Sequence, residues 1–424
     1  MHVLVIGGGA RAHAIAWKLT QSPRIDQISV APGNGGTAVL APHVQNVDID
    51  ATDTVSLLDY AMQEHMDLII VGPEESLVNG LVDQFEAVGL RVFGPHRRAA
   101  MIEASKSYAK YLMVQNHVPT APYEVFADVD EALDFLSGQD IEDMIIKADG
   151  LTRGKGIFAP RGSSDAEGIL RALIERDALD GAGRRVVIEQ RLTGEELSAT
   201  AFTDGNVLAM MPPVREYRRL HNYEKGPSTI GMGAYAPVHM LDPDMIARLE
   251  NEIFKPVLAG LQAEHCCFKG VLYISVTWTA LGPIALEINS RMGDPAAQVV
   301  LPLLQTDLLD VVEACVDGNL DQIDLRWSDH AAVTLTLTTN SYPERDDVGI
   351  PVHLEPEVPP GVLLFHGGTR TGDDGTLITT SGRVMNVTGV APTLPLAAQH
   401  AYEGVSRVHF EGKHYRTDIS PPTR

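Results

Sequence analysis

The sequence predicts an α/β (α+β) protein that begins with an open parallel sheet. Apolar runs in the first hundred residues alternate with helical stretches, and each run ends in a turn rich in glycine or proline. That order is typical of a parallel sheet with ligand loops at its carboxyl edge. From about Trp327 onward, alternating patterns such as Val333–Leu337 predict a second, β-rich region. The 424 residues are enough for about two to four domains.

Four runs are the predicted strands of the first sheet. The first of them is fully apolar, as expected for a buried parallel strand, and a helical pattern over Ala14–Leu19 follows it. The four runs are Val3–Ile6, Gln27–Val30, Leu68–Val71 and Arg91–Phe93. Their turns should therefore gather ligand-binding backbone at one edge of the sheet.

The turn after the first strand, Gly7-x-Gly9-x-x-Ala12, nearly matches the fingerprint of dinucleotide-binding proteins. That fingerprint expects an acidic residue about 20 residues later, at the end of the second strand, for the ribose hydroxyls. Here the second strand ends in Val30-Ala31-Pro32, so an oxidoreductase that uses a nicotinamide or flavin is disfavoured. A glycine loop that enters a helix still offers free N–H groups to an anion, although a tight turn without a ligand is an equally good interpretation.

Charge and cysteine use exclude several classes of protein. There are 33 Lys plus Arg against 56 Asp plus Glu, a formal net charge of −23, which disfavours binding to nucleic acid or to an anionic membrane. Cys266 and Cys267 are adjacent and Cys315 stands alone, so buried cysteines in a reducing compartment are predicted. The longest uncharged stretch, Gly270–Leu286, contains a Leu-Gly-Pro turn and predicts two strands, not a membrane span. Without a signal-peptide pattern, a cytoplasmic protein is expected.

The middle of the chain predicts a clamp for a polyphosphate. Lys106 starts a helical stretch that runs to Gln115, and Lys147 follows an apolar run and leads into a glycine-rich hairpin, Gly150–Gly156. Ammonium groups and backbone N–H groups both neutralise phosphate, and the Walker-type spacing is absent. The strand-like run Val186–Glu189 could offer its backbone to an adenine. Each feature alone could instead be an ordinary surface charge or strand end.

The strongest signal is the strand pattern Ile284–Asn289 and the arginine that follows it. Residues i and i+2 of a strand face the same side, so Glu287 and Asn289 point together. A carboxylate and an amide oxygen are hard ligands that suit Mg²⁺ beside phosphate oxygens. Arg291 would add a cation for a transferred phosphate or a developing oxyanion. A solvated polar face at a strand end is the plainer alternative.

Taken in order, these segments resemble the ATP-grasp superfamily and, within it, the phosphoribosylamine–glycine ligase (glycinamide ribonucleotide synthetase) family, over essentially the whole chain. The resemblance is carried by Ala31–Asn34, Val71–Glu74, Phe93–Pro95, Lys147–Leu151, Gly154–Gly156, Gly231–Tyr235 and Gly293–Pro295. It implies an N-terminal α/β domain (1–103), an ATP-grasp domain (104–326, with a lid at about 120–195) and a C-terminal domain (327–424) that packs beside the first.

The resemblance also implies a reaction and the residues that serve it. A carboxylate would attack the γ-phosphate of ATP to give an acyl phosphate, which an amine then attacks, with Mg²⁺ (or Mn²⁺) as cofactor. The partners would be a small-molecule amine and a carboxylic acid, by default 5-phosphoribosylamine and glycine, and the protein would be a monomer or a homodimer. The implied sites are ATP at Lys106, Lys147, Gly154, Gly156, Glu189, Leu192 and Glu196; metal at Glu287 and Asn289; substrate at Gly9, Arg11, His13, Glu74, Arg218 and Asp294; and catalysis by Arg291 and Lys155.

Several motifs depart from the family pattern on the substrate side. Ala12 and Ala296 stand where the family usually has a carboxylate, while Arg153 and Arg215 add cations. A site built for one polar ligand rejects analogues that leave its groups unpaired. Two hypotheses stay open: a divergent member with the default substrates, or a related amide ligase for another amine or acid in a specialised nucleoside or natural-product pathway. A nucleotide-binding regulator without catalysis is disfavoured by the intact phosphate and metal residues.

Overall fold

The computed structural model describes residues 1–152, 154–238 and 240–420. Its first elements are β1 (His2–Gly7), α1 (Ala10–Leu19), β2 (Gln27–Pro32), β3 (Val44–Asn46), α2 (Thr54–Gln63), β4 (Leu68–Val71), α3 (Glu74–Val78), α4 (Leu81–Glu86), β5 (Val92–Phe93) and α5 (Arg97–Ala104). These strands pair in parallel in the order β3-β2-β1-β4-β5. The predicted open parallel sheet is thus confirmed, and only the short β3 lacks a predicted run.

The middle of the chain forms two four-stranded sheets and contributes one further hairpin. Its elements are α6 (Lys106–Gln115), β6 (Tyr123–Phe126), α7 (Val129–Ser137), β7 (Met144–Ala148), β8 (Ile157–Phe158), α8 (Ser163–Leu170), β9 (Val186–Gln190), β10 (Glu195–Thr203), β11 (Leu208–Met210), β12 (Arg215–His221), β13 (Lys225–Ala236), α9 (Pro243–Arg248), α10 (Lys255–Ala263), β14 (Gly270–Thr279), β15 (Gly282–Asn289), α11 (Ala297–Val300) and α12 (Leu308–Asp317). One sheet has the order β6-β9-β7-β8 and the other β11-β10-β14-β15. Helix α6 begins where predicted because the Ser105 hydroxyl accepts a hydrogen bond from the Tyr108 N–H and caps it.

The C-terminal sheet contains strands from two parts of the chain. The last elements are β16 (Ala331–Thr338), β17 (His353–Leu354), β18 (Val362–His366), β19 (Thr369–Thr371), β20 (Leu377–Thr379), β21 (Arg383–Ala391), α13 (Leu394–Val405) and β22 (Val408–His409). The sheet order is β12-β13-β16-β21-β18, and β13 pairs with β16 with Ala236 opposite Ala332. The hairpin β12–β13 therefore extends the C-terminal sheet, and the domain boundaries predicted near residues 103 and 326 stay predictions.

One hydrophobic core joins the three parts of the chain. It contains Ile15 of α1, Val300 of α11 and Val312 of α12, together with Ala332 of β16 and Phe365 of β18. Full burial of a large apolar side chain contributes about 1.5–3 kcal/mol. The shared core therefore holds the loops of all three parts in fixed relative positions.

The cysteine prediction is wrong for one residue. Cys266 and Cys315 are buried, whereas Cys267 is exposed, because successive side chains along the chain point in different directions. The predicted pair of strands in the uncharged stretch is confirmed as the antiparallel β14 and β15. None of the helices in the described parts of the chain combines the length and the apolar character that a membrane crossing requires.

Candidate functional site

Two adjoining cavities lie where the sheets meet. Cavity A has a volume of about 620 Å³ and is lined by turns of the parallel sheet, by the end of β15 and by the segment after it. Cavity B has a volume of about 590 Å³ and lies between the sheet of β7 and β9 and the sheet of β10 and β14. Ile157, Glu216, Arg218, Ser228 and Glu287 line both cavities. The cavities therefore share a boundary at the carboxylate that was predicted to bind metal.

Glu287 and Asn289 lie on one face of β15, as the strand spacing predicted, and both line cavity A. Arg218 donates a hydrogen bond of 2.8 Å to Oε1 of Glu287, and the Lys106 ammonium lies 3.8 Å from Oε2. Burial by itself would raise the pKa of Glu287. The cations Arg218, Lys106 and Lys147 outweigh burial and hold that pKa well below its usual value. Glu287 is therefore an anion at physiological pH.

Two lysines near Glu287 and Asn289 share one buried carboxylate. Nζ of Lys147, on β7, lies 2.5 Å from Oε1 of Glu189. Nζ of Lys110, one helical turn after Lys106, lies 2.5 Å from Oε2 of the same carboxylate. Burial lowers the pKa of Lys110 to about 8, although Glu189 opposes the shift. Burial would raise the pKa of Glu189, but Lys147 and Lys110 hold it below its usual value. One buried carboxylate therefore fixes two ammonium groups.

A second network ties the parallel sheet to the end of β15. Nε of Arg291 donates a hydrogen bond of 3.0 Å to Oε2 of Glu74, and its NH2 lies 2.7 Å from Oε1 of Glu103. Arg11 donates to the same Glu74 oxygen over 3.1 Å. Oε2 of Glu103 accepts from the N–H and the hydroxyl of Ser290, each over 2.8 Å. Burial would raise the pKa of Glu74, but Arg291 and Arg11 hold it well below its usual value. The Arg291 guanidinium is thereby fixed in the wall of cavity A.

The loop after β15 is tied to the C-terminal sheet by a bidentate ion pair. NH2 of Arg383 lies 2.9 Å from Oδ2 of Asp294, and NH1 lies 3.2 Å from Oδ1. Gln298 donates a further hydrogen bond of 2.9 Å to Oδ1. Burial would raise the pKa of Asp294, but Arg383 and Arg11 lower it below its usual value. Asp294 and Arg383 both line cavity A, so the C-terminal sheet supplies part of its wall.

Most of the predicted site residues line one of the two cavities. Those in the wall of cavity A are Gly9, Arg11, Glu74, Lys106, Gly154, Arg218, Glu287, Asn289, Arg291 and Asp294. Those in the wall of cavity B are Lys147, Glu189, Leu192 and Glu196, again with Arg218 and Glu287. Gly156 lines neither cavity, but its carbonyl accepts a hydrogen bond of 2.8 Å from the Ala148 N–H and so anchors the hairpin to β7. The convergence is a property of the structure, while the individual roles stay predictions.

Two further predicted site residues, besides Gly156, lie away from the cavities. His13 is 4% exposed, and its Nδ1 accepts a hydrogen bond of 2.9 Å from the His366 N–H. It stands two residues after Arg11 and so lies on another side of α1. The structure therefore gives no support to a substrate contact at His13, which stays a prediction. Lys155 is exposed and lines neither cavity. A side chain that extends into solvent from the hairpin does not support the predicted catalytic role.

Of the four named positions that depart from the family pattern, two lie away from the cavities and one lines cavity B. Ala12 and Ala296 are each 2% exposed and line neither cavity. Both lie in the shared core, where α1 packs against α11, so the structure does not place either of them beside a substrate cavity. Arg215 lines cavity B and lies 3.4 Å from Glu195. Arg153 lies outside the described residues.

Several residues that hold the predicted site residues in place were not predicted from the sequence. Lys110 follows Lys106 by four residues, the spacing of one helix face, and that spacing was an available signal. Glu216 precedes Arg218 by two residues, the spacing of one strand face. Glu103 pairs with an arginine that lies far away in the sequence, so no local pattern could have identified it.

The donor set fits a magnesium ion that is held partly by a polyphosphate. In the parts of the chain that the structure describes, no group of three or more His, Cys, Asp or Glu side chains could hold a metal ion. Mg²⁺ is commonly bound through one or two protein carboxylates together with phosphates and waters, and Glu287 with Asn289 offers such a pair. Lys106 and Lys147 supply the cations that phosphates require. The residues present therefore fit ATP with a divalent cation.

Three family models match the chain in succession. They are described as the N domain (residues 1–103), the ATP-grasp (A) domain (residues 104–297) and the C domain (residues 332–421) of phosphoribosylglycinamide synthetase. Together the matched segments extend over most of the chain.

Two similar bacterial proteins carry the same name, and a third relative is a longer, trifunctional protein. The phosphoribosylamine–glycine ligase of Caldanaerobacter subterraneus subsp. tengcongensis is 40% identical over 421 residues, which cover 99% of each chain. The protein of that name from Neisseria meningitidis serogroup B is 39% identical, also over 99% of each. The trifunctional purine biosynthetic protein adenosine-3 of Bos taurus is 39% identical over 98% of this chain and 41% of its own length. These relatives give no support to the hypothesis of a different amine or acid.

Solved structures agree with the fold. The phosphoribosylamine–glycine ligase of Thermotoga maritima superposes with a TM-score of 0.85 at 30% identity and covers 99% of this chain and 100% of its own. The biotin carboxylase domain of Hydrogenobacter thermophilus 2-oxoglutarate carboxylase, solved with MgADP, ADP and bicarbonate, has a TM-score of 0.73 at 16% identity, over 97% of this chain and 91% of its own. The second likeness extends to the fold alone, and it agrees with the predicted ATP-grasp architecture.

Proposed function

The chain belongs to the phosphoribosylglycinamide synthetase family, and we propose that it joins glycine to 5-phosphoribosylamine while ATP is converted to ADP and phosphate. The observation that carries this proposal is the shared boundary of cavities A and B at Glu287. ATP would occupy cavity B with its phosphates toward Glu287, and the two smaller substrates would occupy cavity A. Full-length likeness to ligases of that name supports the same assignment.

The proposed chemistry has two steps, because a carboxylate is a poor electrophile. An oxygen of the glycine carboxylate forms a bond to the γ-phosphorus as the bond to ADP breaks. The amine nitrogen of 5-phosphoribosylamine then bonds to the carbonyl carbon, phosphate leaves and the nitrogen loses a proton. Mg²⁺ at Glu287 and Asn289 would neutralise phosphate charge. Lys106 and Lys147 would bind phosphate oxygens, and Arg291 would stabilise the negative charge that develops at the carbonyl oxygen.

Cavity A suits a phosphorylated sugar amine. Arg11, Arg291 and Arg383 line it, and guanidinium groups bind phosphate in a fixed, forked geometry. Gly9, at the N-terminus of the ten-residue helix α1, also lines the cavity and would add backbone N–H groups for an anion. The cytoplasmic location, the absence of nucleic-acid and membrane partners and the monomeric or homodimeric state stay predictions.

The test is release of ADP from ATP and Mg²⁺ in the presence of glycine and freshly generated 5-phosphoribosylamine, with each component omitted in turn. We expect turnover only in the complete mixture, with glycinamide ribonucleotide detected by mass spectrometry in equal amount to ADP. Turnover without glycine, or none in the complete mixture from protein that still binds ATP, would contradict the proposal.

A further inference from the structure

Glu216 on β12 carries a buried carboxylate oxygen without a partner. Its side chain is 5% exposed and lines both cavities. Oε2 accepts a hydrogen bond of 2.8 Å from Tyr273 and lies 3.4 Å from NH2 of Arg218. Oε1 is buried and has no hydrogen-bond partner within the described residues. A buried polar atom left unpaired costs free energy, so such an atom in a cavity wall is a ready acceptor for a donor on a ligand.

The neighbours of Glu216 fix its orientation. The Tyr273 hydroxyl lies 2.7 Å from Oγ of Ser198 and accepts a hydrogen bond of 3.0 Å from Arg218. Burial and the adjacent Glu216 raise the pKa of Tyr273, so the hydroxyl keeps its proton and donates to Glu216. NH1 of Arg218 binds Glu287, so one guanidinium bridges the two carboxylates. Glu216 is therefore held beside the metal residue, at the junction of the cavities.

On the basis of the proposed function, we propose that Oε1 of Glu216 accepts a hydrogen bond from the ammonium group of the amino-acid substrate. The carboxylate to be activated must lie at the junction of the cavities, where the phosphates meet cavity A. In an α-amino acid the ammonium group is one carbon away from that carboxylate. The residue that binds the ammonium group must therefore also lie at the junction of the cavities. Of the described residues that line both cavities, Glu216 and Glu287 are acidic. Arg218 contacts one oxygen of each, but Lys106 lies near the second oxygen of Glu287, whereas Oε1 of Glu216 has no hydrogen-bond partner in the described parts of the chain.

An ammonium group at the junction requires a carboxylate there that keeps a free oxygen, because the arginines in the wall repel it. Glu74, Glu103 and Asp294 also line cavity A, yet each is bound by arginine. Asp50 and Glu75 line cavity A but not cavity B, so they do not lie at the junction. An ammonium group donates up to about three hydrogen bonds, and a bond to a carboxylate is about twice as strong as a neutral one. Glu216 thus selects an amino acid over a carboxylic acid that lacks an amine.

Glu216→Gln tests this role, because the amide keeps the size of the side chain and still accepts from Tyr273 but carries no charge. ADP formation would be measured at saturating ATP, Mg²⁺ and 5-phosphoribosylamine while glycine is varied. We expect the KM for glycine to rise at least about ten-fold, with the KM values for ATP and 5-phosphoribosylamine and the Mg²⁺ dependence unchanged. Glycolate, which has a hydroxyl in place of the ammonium group, should gain affinity relative to glycine.

Glu252→Gln is the matched control, since Glu252 forms an exposed ion pair with Arg248 and lines neither cavity. It should leave the KM for glycine unchanged. An unchanged KM for glycine in Glu216→Gln would overturn the inference. So would an effect confined to the Mg²⁺ dependence or to the KM for 5-phosphoribosylamine, because either would assign Glu216 to another ligand. A wild-type enzyme that does not require glycine would overturn the proposed function itself.

Discussion

At the scale of single residues, the site depends on buried charges that compensate one another. Lys110 and Lys147 share Glu189, so these three charges leave one net positive charge beneath Glu287. An unpaired buried charge would cost several kcal/mol, which keeps the carboxylate and the lysines together. Because Glu189 divides its attraction between two lysines, Lys147 is held less tightly than in a simple pair. Its ammonium group can therefore bind a phosphate as well as Glu189.

Removal of Lys110 should strengthen the hold of Glu189 on Lys147 and weaken ATP binding. For Lys110→Met we expect the KM for ATP to rise about ten-fold, equivalent to about 1.4 kcal/mol. Stability should fall by about 1–3 kcal/mol, because a buried carboxylate loses a partner. Kinetics at varied ATP and urea unfolding measure the two effects. Lys255→Met, at an exposed pair with Glu250, should change neither. An unchanged KM for ATP in Lys110→Met would show that the shared pair does not tune Lys147.

Loss of the charge on Glu287 should remove most of the activity. Glu287→Gln keeps the shape of the side chain, but it deprives the metal and Arg218 of an anion. We expect ADP formation to fall at least about 100-fold, the size typical of the loss of one electrostatic contributor, and the Mg²⁺ concentration at half-maximal rate to rise. Glu167→Gln, at an exposed pair with Arg171, should behave as wild type. Near-normal turnover of Glu287→Gln would disprove the metal assignment.

The sequence predicts those functional residues whose side-chain direction follows from the local secondary structure. Glu287 and Asn289 follow from strand alternation, and Lys106 follows from the start of a helix. His13 and Ala12 follow Arg11 in the same motif, but a motif does not reveal which side of α1 faces a cavity. That side depends on what packs against the helix, and the His13 side packs against the C-terminal sheet.

At the scale of elements, strands buried on both faces are predictable because burial makes them uniformly apolar. β1 and β4 are 0–5% exposed over Val3–Ile6 and Leu68–Val71. Membership of a sheet is less predictable. β13 joins the C-terminal sheet through β16, a pairing of distant segments that leaves no local periodicity. The glycine hairpin was predicted from composition, but its packing on Ile230 of β13 was not.

Because the hairpin packs on Ile230, it should not tolerate a larger residue at Gly154. Its φ is +79°, and an added Cβ would lie 3.0 Å from Cγ1 and 3.1 Å from N of Ile230. The left-handed backbone alone costs an alanine about 1–2 kcal/mol. In Gly154→Ala we expect a displaced hairpin and a several-fold higher KM for ATP, with little change in the urea midpoint. Gly168→Ala in α8, where nothing lies within 4 Å, is the control and should keep full activity. Equal kinetics in the two variants would contradict a role for the hairpin.

At the scale of the whole molecule, the walls of cavity A come from three parts of the chain, so the site exists only when those parts dock. Asn34 donates hydrogen bonds to the carbonyls of Gly8 and of His366, over 3.1 and 2.8 Å. The rings of His13 and His366 lie 5.6 Å apart at this junction. The family resemblance implies such docking, but no local periodicity predicts its contacts, because their partners come from opposite ends of the sequence.

This junction should make the stability of the molecule depend on pH. Burial, with His366 nearby, lowers the pKa of His13 to about 3, and burial lowers the pKa of His366 to about 4. Both rings are neutral when folded, whereas the unfolded chain protonates each near pH 6.5. The unfolded state therefore binds more protons below pH 6.5, so stability is complete above that pH and declines as the pH falls toward 4. Each histidine should lower the free energy of unfolding by about 2 kcal/mol between pH 7.5 and pH 5.

The variant His13→Asn tests this prediction. It retains an acceptor for the His366 N–H but cannot titrate, so its urea midpoint should fall less than that of wild type between pH 7.5 and pH 5. Equal declines would mean that the His13 ring does not couple docking to protonation.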